Sequence, residues 1–332
     1  MLFLLNKIIS LIIGGLICIL PGEKSTSKPV KELPQGFFCQ QVSEAAEIKG
    51  YRDIIFYSGK FIAVGTDGRI DYINKFGERT PVVTSCRNNL NCVVGYDQML
   101  VVAGNDGTIL VSPDGQVFSR AESGTNIHIN GIIVKNGLFI AGADKGTILL
   151  SVNGKSWSYK DLPVKGNILS LAADDSFCIG VTDIGEIIRS DDGINWTIFD
   201  YNKEYSGYNR PCKFRKVIVT ANRIVLIGIH DDGSPAVLFS TLGNVWTERS
   251  LIYYDNHGMI SFMLNDPNDI TYDSVRDQFI LACDNGELFT LPSCTKCNVS
   301  NKVSSNDLFT VLFKDNILIS AGEEFYIKII NL

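Results

Sequence analysis

The sequence predicts an all-β fold in which seven four-stranded units close into a ring, a seven-bladed β-propeller. Three observations carry the prediction. A segment recurs seven times along the chain, each copy is built of short apolar runs broken by turn residues, and no stretch after the N-terminal segment sustains a 3.6-residue period over three turns. The chain has 332 residues, 45% of them hydrophobic, and thirty glycines against ten prolines, a balance that favours many tight turns.

The repeat is clearest in "LVVAGNDGTILVSPDGQVFSRAE" (100–122), "LFIAGADKGTILLSVNGKSWSYKDL" (138–162) and "CIGVTDIGEIIRSDDGINWTIFD" (178–200). A turn glycine sets the register at Gly68, Gly107, Gly146, Gly185, Gly233 and Gly286, with Glu324–Phe325 in the seventh copy. The first three intervals are each 39 residues, the next two 48 and 53, and the last about 39. The extra residues fall in polar, turn-rich stretches around 200–211 and 252–270, as insertions in loops should. Within a copy, apolar runs of four to six residues are broken by D-G or N-G, the pattern of strands joined by hairpins. Four strands in about 40 residues make one blade. The seventh copy ends at Leu332 after its third strand, and "GFFCQQVS" (36–43) is a spare strand-like piece. Pairing that piece onto the last blade would close the ring and hide an open edge.

Four copies share a heptad between their third and fourth strands, S-x-(D/N)-G-x-x-(W/F). It reads Ser112, Asp114, Gly115, Phe118; Ser151, Asn153, Gly154, Trp157; Ser190, Asp192, Gly193, Trp196; and, without the acid, Ser240, Gly243, Trp246. The Asp or Asn side chain can bond the N–H groups of its own turn, glycine supplies a positive φ, and the aromatic residue covers the gap between blades. The adjacent acids of "SDDGINW" could also be an acid/base pair, but their three sister copies point to a turn.

This heptad resembles the Asp-box, or BNR, repeat S-x-D-x-G-x-x-W, shortened by one residue before the glycine in some copies. Over about 290 residues the chain resembles the BNR-like seven-bladed propellers, including those related to photosystem II stability and assembly factors. The resemblance implies structural boxes at the blade periphery. A sialidase of this architecture needs three converging arginines, a tyrosine–glutamate nucleophile and an acid/base carboxylate. Its R-I-P triplet is absent, and Arg52 in "YRDI" does not match it.

The first 23 residues carry one lysine and then an apolar run from Ile8 to Leu20, which reads as a signal peptide or N-terminal anchor, with 24–35 as a linker and 36–332 as the propeller. Eight cysteines follow, and "SCRNNLNC" and "CTKC" make Cys86–Cys92 and Cys294–Cys297 the candidate disulfides. Three histidines, none at ligand spacing from another, and a single C-x-x-C give no metal site or cofactor. The net charge of -6 and the lack of basic runs argue against nucleic acid, and the membrane is reached only through the N-terminal segment. The expectation is therefore an exported, monomeric, non-enzymatic scaffold for a protein or carbohydrate partner, in the periplasm, at the cell surface or outside the cell. Its alternatives are a glycan-active hydrolase or lyase, and an assembly factor for a membrane complex. Tyr201, Tyr205 and Tyr208 in one insertion, and Tyr253 and Tyr254 in the other, are the candidate partner contacts.

Overall fold

The computed structural model describes residues 48–205, 210–254, 259–292 and 298–332. Among them are six four-stranded antiparallel sheets, one of three strands and one isolated two-stranded hairpin. Each larger sheet is a blade, with strands A to D in chain order from the axis outward. The inner A strands are Tyr51–Tyr57, Leu90–Tyr96, Ile129–Lys135, Ile168–Ala173, Cys212–Thr220, Pro267–Asp273 and Leu308–Lys314. Each packs against the next, and that of blade 7 packs against that of blade 1, closing a ring of seven. At the closure, Glu324 N–H donates to Lys49 O at 2.8 Å, and Gly50 bridges Glu323.

Because blades stack face to face, a middle strand is covered on both sides and reads as an unbroken apolar run. In "LVVA", Leu100 and Val102 face blade 1, while Val101 and Ala103 face blade 3. The core is accordingly divided into seven clusters, one at each interface between neighbouring blades. The register glycines of blades 1 to 6 all have φ between 62° and 89°, in the left-handed region that glycine adopts without strain. Blade 7 places Phe325 there at φ 56°, and its ring packs edge-on against Tyr51 of blade 1 at 5.2 Å.

Blade 7 is the three-stranded sheet, ending in Ile327–Asn331. Its isoleucines are half-buried, whereas the third strand of blade 3, Thr147–Ser151, is almost wholly buried. The expected closing strand at 36–43, the N-terminal segment and the linker all lie outside the described residues.

The expected Cys86–Cys92 disulfide is not formed; both are free thiols. A bulge between Leu90 and Cys92 shifts the register, and Cys92 turns into the interface of blades 2 and 3. Cys86 lies against the interface of blades 1 and 2, so the two sulfurs sit in different layers. Burial holds the Cys92 thiol well above its ordinary pKa. Cys294 and Cys297 lie outside the described residues.

Candidate functional site

Three places concentrate polar or exposed chemistry: the heptad turns, the axial channel and the inserted segments. In the blade 4 turn, Ser190 Oγ donates to Asp192 Oδ1 at 2.9 Å and accepts Gly193 N–H at 2.8 Å. Asp192 Oδ1 also accepts Ile194 N–H and Asn195 N–H, at 2.8 and 2.7 Å. Asp114 and Asn153 make the same bonds in blades 2 and 3. The aromatic residues Phe118, Trp157, Trp196 and Trp246 each pack into the interface with the preceding blade. In the acid-free turn of blade 5, Ser240 Oγ still accepts Gly243 N–H, and the Tyr205 hydroxyl accepts Trp246 N–H at 3.1 Å.

Asp192 is thus occupied by its own backbone, while its neighbour Asp191 is exposed, 3.8 Å from Arg189. The turn N–H groups hold the Asp192 carboxyl far below the usual carboxylate range. A folded-state pKa below the unfolded value gives stability that is present above about pH 4 and lost as pH falls through the depressed pKa. Asp192→Asn, which copies blade 3, is expected to keep the turn and reduce the acid sensitivity of the melting temperature. Asp192→Ala is expected to lower that temperature at neutral pH; unchanged melting of the alanine variant would contradict this role.

The channel is lined by the inner strands, most of which begin with a β-bulge. In blades 1, 4 and 6 the residue after the bulge reaches across to the next blade and accepts a backbone N–H of its inner strand. Asp53 Oδ2 accepts Val93 N–H at 2.9 Å, Ser170 Oγ accepts Val217 N–H at 3.2 Å, and Asp269 Oδ2 accepts Val311 N–H at 2.9 Å. Within the bulges, the side-chain amides of Asn91, Asn130 and Asn268 each donate to a carbonyl of the following inner strand. Lys216 sits 3.1 Å from Asp269 and, with Asp53, faces a cavity of about 490 Å³. Both carboxylates are bonded to backbone N–H groups, so their evident role is to stitch blades together.

Enclosure by the channel walls raises the Asp53 pKa to about 6; Lys216 opposes the shift and Asp269 adds to it. Here the folded pKa lies above the unfolded one. The contribution to stability is full below about pH 4 and falls as pH rises through 6. The Asp53 carboxyl carbon is expected to titrate near pH 6 by NMR, and Asp53→Asn to gain stability relative to wild type above that pH. A midpoint near 4 would contradict it.

Tyr201 and Tyr205 of the first insertion, expected as partner contacts, turn into the core instead. Tyr201 is fully buried on Phe214, and Tyr205 stacks on it at 4.7 Å. Asp200 caps a single helical turn, Tyr201–Glu204, that folds these rings into the interface of blades 4 and 5. Tyr208 lies outside the described residues, as does the side chain of Tyr254.

The second insertion forms the isolated hairpin, Ile252–Tyr254 with Ile260–Phe262. Its register sets Ile252 opposite Phe262 and Tyr253 opposite Ser261. Tyr253 turns inward and meets Phe289 edge-on at 5.7 Å, and Met263 is buried beside it. The alternate residues face out, and they are apolar: Ile260 is 62% exposed, Phe262 58% and Leu264 73%. A half-buried hairpin normally shows polar residues on that face, so this stripe is the exposed feature that the fold does not explain. The alternation of "MISFML" was the signal available.

Together these features define the chain as a seven-bladed β-propeller with heptad-bound outer turns and one apolar hairpin on its rim. Solved structures agree on the fold. The chain is similar to YCF48 bound to D1 peptide, with a TM-score of 0.64 and 16% identity over 85% of this chain and 93% of that one. YCF48 from Cyanidioschyzon merolae gives a TM-score of 0.62 at 14% identity, over 86% and 96%. The WD40 propeller domain of Doa1 gives 0.62 at 13%, over 85% and 92%. No family model and no curated protein matches the sequence.

Proposed function

We propose that the chain is a non-enzymatic protein-binding scaffold, carried across a membrane by its N-terminal segment, whose partner docks on the outer face of the inserted hairpin. The observation that carries this reading is the stripe of Ile252, Ile260, Phe262 and Leu264, exposed on a hairpin whose other face is anchored in the core. A rigid ring with an apolar projection has the form of a docking platform. The similarity to YCF48 with its bound D1 peptide supports a peptide or protein partner over a glycan. The resemblance of the repeats to photosystem II stability and assembly factors makes a membrane complex the setting we favour.

The double variant Ile260→Asp/Phe262→Asp is expected to lose partner capture from membrane extracts by about tenfold or more. Its melting temperature should stay close to wild type, because both side chains are exposed. Equal capture by variant and wild type would remove the hairpin from the interface. Export is checked separately, by locating the full chain after cell fractionation.

A further inference from the structure

The inserted hairpin has a free edge as well as an apolar face, and both fall on the same residues. In an antiparallel pair, residues alternate between exchanging bonds with their partner and turning N–H and C=O away from it. Met263 N–H donates to Leu251 O at 3.0 Å, and the register sets Tyr253 opposite Ser261, Ile252 opposite Phe262 and Tyr254 opposite Ile260. Tyr253 and Ser261 therefore exchange the next pair of bonds, while Ile252, Ile260 and Phe262 direct their backbone groups outward. On the first strand that outer edge is occupied. The Asn298 side-chain amide donates to Ile252 O at 2.7 Å and to Ser250 O at 3.0 Å, and Asn298 bridges Tyr253. Along Ile260–Phe262, no strand among the described residues lies beyond.

Sheet edges are ordinarily blunted by a charge, a proline or a bulge. Here "MISFML" (259–264) carries neither charge nor proline, and the pairing of Ile260–Phe262 has no bulge. Ile260 and Phe262 thus offer unpaired N–H and C=O groups in the plane of the hairpin, and exposed apolar side chains on its outer face. An occupant has to satisfy both. A helix spends its backbone groups on itself and would cover the side chains only. A second copy meeting this short strand edge to edge falls well below the roughly 800 Å² per partner of a stable interface. An extended chain with apolar side chains at every second position matches both demands, since its backbone groups point sideways and its side chains continue the stripe. The described chain begins at the seam of blades 7 and 1, away from the hairpin between blades 5 and 6, so the strand is sought in a partner.

We propose that the edge strand Ile260–Phe262 takes up an extended segment of a partner protein as a third strand of the hairpin, with apolar residues at alternate positions. The proposal rests on the hairpin being the docking face. A peptide selected on the full chain from a random linear library is expected to alternate apolar residues, and to bind Ile260→Asp/Phe262→Asp at least about tenfold more weakly. Methylating alternate amide nitrogens of that peptide should weaken it at least about tenfold in one phase and little in the other, because only one set faces the edge. On binding, hydrogen exchange of the Ile260 and Phe262 N–H groups should slow at least about tenfold, while Ser261 N–H is slow in the free chain too. If the aspartate variant loses binding but both methylation phases bind alike and those two amides exchange unchanged, strand addition is overturned and the docking face stands. Binding that survives the aspartate substitutions removes both, and a library that yields no alternating apolar peptide overturns the proposal. Slow exchange of Ile260 and Phe262 in the free chain overturns it as well. The occupant is then a segment of the same chain if the protection is independent of concentration, and a second copy if it rises with it.

Discussion

Gly107→Ala is expected to destabilise the propeller by about 3 kcal/mol, whereas Gly233→Ala at the equivalent turn of blade 5 costs about 1 kcal/mol. Both glycines have positive φ, 62° and 79°, so any side chain is strained in either. The difference is space. A Cβ on Gly107 would stand 2.0 Å from the Thr125 carbonyl oxygen, part of the backbone leading into blade 3, while around Gly233 none of the described residues lies within 4 Å. The first substitution forces the two blades apart and the second strains only its own turn. Urea denaturation of the two variants reads the contrast directly. Equal losses would mean that the blade junction yields to the extra methyl group.

Arg69→Met is expected to cost about 2 kcal/mol, and the triple variant Tyr51→Phe/Arg69→Met/Asp71→Leu to recover most of that loss. Asp71 is wholly buried at the seam of blades 7 and 1. Its Oδ2 accepts from the Tyr51 hydroxyl and, at 2.7 Å, from Arg69 Nε, while among the described residues no partner reaches Oδ1. Burial and the bond to Asp71 push the Tyr51 hydroxyl well above its usual pKa. Removing the guanidinium strands a buried carboxylate; because Arg69 is 39% exposed, solvent screening reduces that penalty below the range for a fully buried pair. Leu110 and Leu149 hold the matching positions in blades 2 and 3, so the fold accepts an aliphatic residue there. Thermal melts of the single and triple variants decide it, and a triple variant no more stable than Arg69→Met would contradict the reasoning.

Much of the architecture was legible because propeller geometry writes itself locally. Gly68, Gly107 and Gly146 recur because each blade must turn with positive φ at one place, and "LVVAG" and "LFIAG" are apolar throughout because both faces of a middle strand are covered. The site was less legible, since exposure depends on neighbours distant in the chain. Tyr201 and Tyr205 have the composition of a contact loop, but a one-turn helix folds them under Trp246. The Cys86–Cys92 spacing suits a bridge until the bulge at Asn91 rotates Cys92 to the far face of its strand. Asp53, Ser170, Lys216 and Asp269 share a register position that shows only when the inner strands are aligned on their bulges.

The placement of Phe325 against Tyr51 also gives the molecule an order in time. During synthesis blade 1 leaves the ribosome before the other blades, but the apolar layer that covers its free face comes from Ile317, Ile319, Ala321 and Phe325 of blade 7. Tyr51, Phe61 and Ile73 therefore stay wet until some 250 further residues have been translated. Blades 2 to 6 can each dock on a finished neighbour as they emerge, and only the seam waits. Joining ends so distant in the chain makes ring closure the slow step of folding, and an arrested chain would present that uncovered face to chaperones.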